Sequence, residues 1–110
     1  MKYKIVVFGA KKSTISLMET FKEDIDLIVT VSDTIKKNNH IAGEGDVSEF
    51  AKINNIECYS TEDYSLKSCV DFFQNNEFEM GISYGWQRLI PQYVLDRFKN
   101  GVFGTHASPL

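Results

Sequence analysis

The sequence predicts an α/β fold, a Rossmann-like, doubly wound parallel sheet of five strands in the order 3-2-1-4-5. Three observations carry that prediction. Short apolar runs rich in β-branched residues recur along the chain, as in Ile5 to Phe8 and Leu27 to Val31. Runs this continuous suit strands covered on both faces rather than one. Between them lie stretches whose apolar residues fall at helical spacing, and glycine or polar turn residues close several of the runs. Strand alternating with helix means a parallel sheet with helices on both sides and right-handed crossovers.

The first strand is Tyr3 to Phe8, stopped by Gly9-Ala10. Ser13 or Thr14 can cap the helix that follows, which carries Ile15, Met18 and Phe21. The second strand is Leu27 to Val31, ended by Ser32-Asp33. Thr34 to Gly45 is polar, holds two Asn and two Gly, and is read as a mobile loop. Asp46 stands three residues before Glu49 and opens a short helix that buries Val47, Phe50 and Ala51. Ile56 to Tyr59 is a brief third strand. Leu66, Cys69, Val70 and Phe73 then mark a helical apolar stripe. The fourth strand, Met80 to Tyr84, is broken by Gly85. Pro91 starts a helix whose buried side is Val94, Leu95 and Phe98, and Asn100-Gly101 ends it. Val102 to Thr105 is the fifth strand. Phe73 and Ile82 are both expected in the core.

At 110 residues the chain suits one domain with a real core, needing neither disulfides nor a structural metal. No apolar run approaches the roughly 18 residues of a membrane span, and the first residues lack the apolar stretch of a signal peptide. A cytoplasmic protein is expected, with no membrane partner. The net charge of −3 argues against strong nucleic-acid binding, since a dedicated binder usually carries a basic face, so direct DNA binding is not expected. Cys58 and Cys69 are too few for a zinc site, and no metal is expected. Oligomeric state cannot be read.

Open parallel sheets bind ligands at the carboxyl ends of their strands. After the first strand, Gly9-Ala-Lys-Lys-Ser13 has too few glycines for a dinucleotide fingerprint and Lys11 where a phosphate-binding loop needs Gly. A phosphorelay receiver would need acidic residues there. Tyr84-Gly-Trp-Gln-Arg-Leu-Ile-Pro91 either caps the sheet or walls a pocket for a flat heterocycle through apolar side chains and backbone groups. His106 falls just beyond the fifth strand, whereas His40 lies in the polar stretch and is given no role.

Taken together, Tyr84 to Pro91 and Gly101-Val-Phe-Gly-Thr-His-Ala-Ser-Pro-Leu110 resemble the formyltransferase family that uses 10-formyltetrahydrofolate, whose members act on methionyl-tRNA, glycinamide ribonucleotide and amino sugars. The resemblance implies formyl transfer from 10-formyltetrahydrofolate as cosubstrate to an amine acceptor, weakly of the sugar type. It implies folate contacts at Gln87, Arg88, Leu89 and Ile90, largely through the backbone. It puts the active-site histidine at His106 and the motif's serine at Ser108. The family's usual Asn falls on Gly104, which has no side chain, and its catalytic Asp has no counterpart before Leu110. The chain is therefore expected to be the amino-terminal, cofactor-side half of a formyltransferase, cut after the His-x-Ser-Pro-Leu motif and inactive alone. The other reading is a non-catalytic Rossmann-like binding module for a nucleotide or protein partner.

Overall fold

A computed structural model describes residues 1–39 and 45–104. The five strands are β1 (Lys2–Phe8), β2 (Leu27–Val31), β3 (Glu57–Thr61), β4 (Glu77–Ser83) and β5 (Val102–Gly104). They form one sheet in the order β3-β2-β1-β4-β5, and every pairing is parallel. The expected fold class and strand order hold. The helices are α1 (Lys12–Glu19), α2 (Asp33–Asn39), α3 (Val47–Ile53), α4 (Val70–Gln74) and α5 (Gln92–Leu95).

The sheet separates two apolar layers, as side chains alternating along a strand require. Val6, Phe8, Val29 and Val31 pack with Phe73 of α4 and Val94 of α5. Val7 and Ile28 turn to the other side, against Met18 of α1 and Val47 and Phe50 of α3. Phe73 is fully buried in the first layer, as expected. Ile82 departs from expectation, being only half-buried. It lies in register between Val7 and Phe103, and Phe103 on the edge strand is 56% exposed. Helices α1 and α3 cover Val7 but leave this end of the sheet partly open among the described residues.

Three local expectations are corrected. Asp33–Asn39 is helical, not part of a loop, and residues 40–44 of the expected loop, with His40, lie outside the described residues. Ser32 makes that helix possible. Its hydroxyl accepts from the Ile35 N–H at 3.3 Å and its carbonyl from the Lys36 N–H at 3.0 Å, satisfying donors that a helix start leaves orphaned. Asp33 and Lys36 pair at 3.2 Å. Helix α1 begins before Ser13, with Lys11 at its cap, because the Thr14 hydroxyl is used elsewhere, as described below. Finally, Leu66 is not helical. It takes φ 62° in the turn before α4, and only Val70–Gln74 forms a helix. Its side chain is buried beside Cys69 and Phe73 all the same, so residues from a turn and a helix complete the apolar stripe. By contrast, Asp46 caps α3 as expected, accepting from the Glu49 N–H at 3.0 Å.

Past Leu95 the chain leaves helical form, and Phe98 bridges to Phe78 instead, stacking on it at 4.9 Å. Arg97 ties this segment down by donating to the carbonyls of Phe73 and Asn76, both at 3.0 Å. Gly101 turns the chain into β5 with φ 86°.

Candidate functional site

In this strand order the winding reverses between β1 and β4, where a ligand crevice is ordinarily expected. Here hydrogen bonds bridge the two strand ends. The Thr14 hydroxyl, fully buried, donates to the Tyr84 carbonyl at 2.6 Å and accepts from the Lys11 N–H at 3.3 Å. The Ala10 N–H donates to the Gly85 carbonyl at 3.1 Å. Gly9 permits this approach, since a Cβ there would come within 2.4 Å of both Thr14 Oγ1 and the Tyr84 oxygen. The expected tight turn at Gly9 thus draws the ends of β1 and β4 together, and the site residues expected from the sequence stand at the neighbouring carboxyl ends of β4 and β5.

Tyr84 to Pro91 rises from the end of β4. Trp86 is 1% exposed and packs edge-to-face against Phe8 at 6.0 Å and Tyr64 at 4.8 Å. Its indole N–H has no hydrogen-bond partner among the described residues. Leaving such a donor buried and unpaired costs about 1–3 kcal/mol. Burying the largest side chain in the core returns more than that, so Trp86 holds the loop by packing. Ile90 is buried at 2%, which makes it a second anchor and takes its side chain away from any ligand. Between the anchors, Gln87 and Arg88 are exposed and Leu89 is 60% exposed.

The backbone of this loop is partly committed. The Gln87 N–H donates to the Tyr64 hydroxyl at 2.9 Å, and the Gln87 carbonyl accepts from Arg88 Nη1 at 3.4 Å. The Arg88 guanidinium lies 4.7 Å from the centre of the Tyr64 ring. Leu89 and Ile90 keep main-chain groups without partners among the described residues. Edge hydrogen bonds from such groups, beside the exposed Leu89 side chain, fit a flat heterocycle.

Gly104 meets the end of β4, paired with Ser83. Its φ is 119°, and a Cβ there would lie 2.0 Å from the Ser83 oxygen. The absence of a side chain at this position is thus a requirement of the sheet edge. His106 and Ser108 lie outside the described residues. The structure therefore brings Gln87, Arg88, Leu89, Ile90 and Gly104 to adjacent strand ends, and it places neither His106 nor Ser108. No group of His, Cys, Asp and Glu that could hold a metal ion occurs among the described residues, and no helix among them is long and apolar enough to cross a membrane.

Tyr64 is the residue the sequence alone did not single out. It stands between β3 and α4 in a polar stretch with no periodicity, and its partners in the loop, Trp86, Gln87 and Arg88, are distant in sequence. The turn around it carries a legible signal in Asp63-x-Ser65, an Asx-turn pattern. One Asp63 oxygen accepts from the N–H and hydroxyl of Ser65 at 3.0 and 2.6 Å. The other accepts from the N–H and hydroxyl of Ser68 at 2.8 and 2.6 Å. These bonds, those from the two serine hydroxyls first, hold the Asp63 carboxyl down at about 2. A carboxyl lowered by folding stabilises the fold above its unfolded value of 3.8 and loses that contribution as pH falls from about 4 through about 2. Asp63→Asn is expected to lower the urea midpoint at pH 7 and to flatten its decline between pH 4 and pH 2. Parallel pH profiles for the two proteins would remove Asp63 as the origin.

No protein-family model matches this sequence. A methionyl-tRNA formyltransferase of Fusobacterium nucleatum subsp. nucleatum is 22% identical over 109 residues, which is 97% of this chain and 35% of that relative. The chain thus spans about a third of the length of the curated relative it matches. The similarity is distant, and it is to a formyltransferase.

Proposed function

We propose that this chain is the folate-side part of a cytoplasmic formyltransferase that moves the formyl group of 10-formyltetrahydrofolate to an amine, residues 1–110 being its amino-terminal domain. The observation that carries this reading is a conjunction. A distant similarity to a formyltransferase runs along nearly the whole chain, and the fold leaves the Tyr84 to Pro91 loop and Gly104 at neighbouring strand ends.

In the proposed reaction the amine nitrogen attacks the formyl carbon, and negative charge builds on the formyl oxygen. Collapse breaks the bond from that carbon to the folate nitrogen, which takes up a proton as the amine loses one. Leu89 and Ile90 would hold the heterocycle by main-chain hydrogen bonds, with Gln87 and Arg88 fixing the loop. His106, whose imidazole can both take up and give a proton, would carry the proton, with Ser108 as the motif's serine. Gly104 offers no side-chain donor to the developing oxyanion. A preorganised donor there is worth about 3 kcal/mol or more, so efficient transfer needs a donor from elsewhere.

The test is formyl transfer from 10-formyltetrahydrofolate to a panel of aminoacyl-tRNA, nucleotide-sugar and simple amines. The 110-residue chain and any longer product of the same gene are assayed side by side. The short chain should bind folate weakly without useful turnover. A longer form should turn over, and His106→Ala should reduce its rate by about 10²–10⁴-fold. Robust transfer by the short chain, or full activity of the His106→Ala long form, would overturn the mechanism. Gly104 favours one second reading, a non-catalytic binding module for a nucleotide or protein partner, because its geometry excludes the family's usual Asn side chain. No formyl transfer by any form of the protein would favour that module.

A further inference from the structure

Tyr64 touches three consecutive residues of the loop in three different ways. Its ring stands at 90° to the Trp86 ring at 4.8 Å, its hydroxyl accepts from the Gln87 N–H at 2.9 Å, and the Arg88 guanidinium sits 4.7 Å from its ring centre. Each contact alone is modest. A single neutral hydrogen bond, or a cation over an aromatic face, adds little by itself. Together they fix position as well as energy. The Gln87 peptide nitrogen is held by Tyr64, and the Gln87 carbonyl is held by the same Arg88 that covers Tyr64.

Tyr64 is itself immobilised. It is 5% exposed, and Asp63 clamps the turn that carries it through four hydrogen bonds from Ser65 and Ser68. On the far side of the loop apex, Ile90 is buried. Leu89 is therefore suspended between a clamp at 86–88 and an anchor at 90, so its main chain is ordered without ligand. A binding segment ordered in advance spares the ligand the cost of ordering it.

We infer that Tyr64 is the positioning residue of the folate loop, an inference that rests on the folate reading above. By holding residues 86–88 it presents the Leu89–Ile90 main chain in one register to the heterocycle. It does not touch the reacting atoms. Burial raises the Tyr64 phenol above its ordinary value, so it stays neutral and keeps its acceptor role at physiological pH.

The experiment compares the wild-type chain with Tyr64→Phe, which keeps the ring and loses only the hydroxyl. Tetrahydrofolate is the probe, titrated by calorimetry, with amide exchange at Gln87 followed by NMR and the melting temperature measured in parallel. In Tyr64→Phe, Gln87 exchange should quicken and the tetrahydrofolate Kd should rise about five- to tenfold. The melting temperature should move far less than a core truncation moves it. Tyr64→Leu also removes the seat of Arg88 and should weaken binding further. If that variant does not fold, Tyr64→Phe decides alone. An unchanged Kd in Tyr64→Phe overturns the positioning role and leaves the folate reading standing. A wild-type chain that does not bind tetrahydrofolate overturns the folate reading, and the positioning role with it.

Discussion

Phe73→Ala is expected to destabilise the domain by about 3–5 kcal/mol, while Ile82→Ala costs about 1–2 kcal/mol. Phe73 is fully buried and lies in ring contact with Phe8, Tyr59, Phe72, Phe78 and Tyr93, between 5.3 and 6.4 Å. Those rings come from β1, β3, β4 and the helical layer, so no single element can move in to fill the void. The loss is the transfer energy of the ring plus the cavity it leaves. Ile82 keeps one side partly in water already, and its removal opens no closed cavity. Denaturant midpoints of the two variants should differ clearly. Equal shifts would mean that the open end of the sheet beside Phe103 is covered after all.

The second large effect is expected at Gly104. Gly104→Asn should destabilise the domain by about 2–4 kcal/mol and should give no gain in formyl transfer. Two causes add. A φ of 119° lies well beyond the left-handed region that Asn tolerates, and the new Cβ would start 2.0 Å from the Ser83 oxygen. Relief requires breaking the last register pair of β5, a strand of only three residues. Gly104→Ala should cost nearly as much, because the clash begins at Cβ. The check is thermal unfolding of both variants alongside the transfer assay. A stable, more active Gly104→Asn protein would show that the edge strand can adopt a second backbone path.

How much of this was legible in the sequence depends on whether a feature is local. β1 and β2 were legible because buried parallel strands are written as nearly unbroken apolar runs, whereas β3, β4 and β5 are shorter in apolar sequence or more exposed and were legible from the turn residues and helical stretches around them. The Asp46 cap was legible because donor and acceptor are three residues apart. Helix α2 was not. It is polar throughout apart from Ile35, and its signal is a single Ser32 cap at the end of a strand. Leu66 misled because helical spacing can be met by a turn that delivers the same side chain to the same core. Ile82 misled because an apolar strand residue says nothing about which neighbours cover it. In the candidate site, the identities of Gln87 to Ile90 and Gly104 were readable, and so was the missing side chain at 104. That Ile90 faces the core, that Gly104 admits no Cβ, and that Tyr64 holds the loop all depend on contacts between segments distant in sequence. No periodicity encodes those.

The register of β1 has a consequence for the order in which the chain becomes a protein. Lys2 pairs with Glu77 and Phe8 with Ser83, so one edge of the first strand synthesised finds its partner only after more than 70 further residues have been made. Its other edge can join β2 much earlier, since Val6 pairs with Leu27. Until β4 arrives, a nascent β1–β2–β3 ribbon exposes Ile5 to Phe8 along an unpaired edge. Parallel pairing over such separations is intrinsically slow, because the loop must close before any contact rewards it. Within the described fold this interval carries the greatest exposure to edge-to-edge aggregation, and it ends when β4 docks and Thr14 latches onto Tyr84.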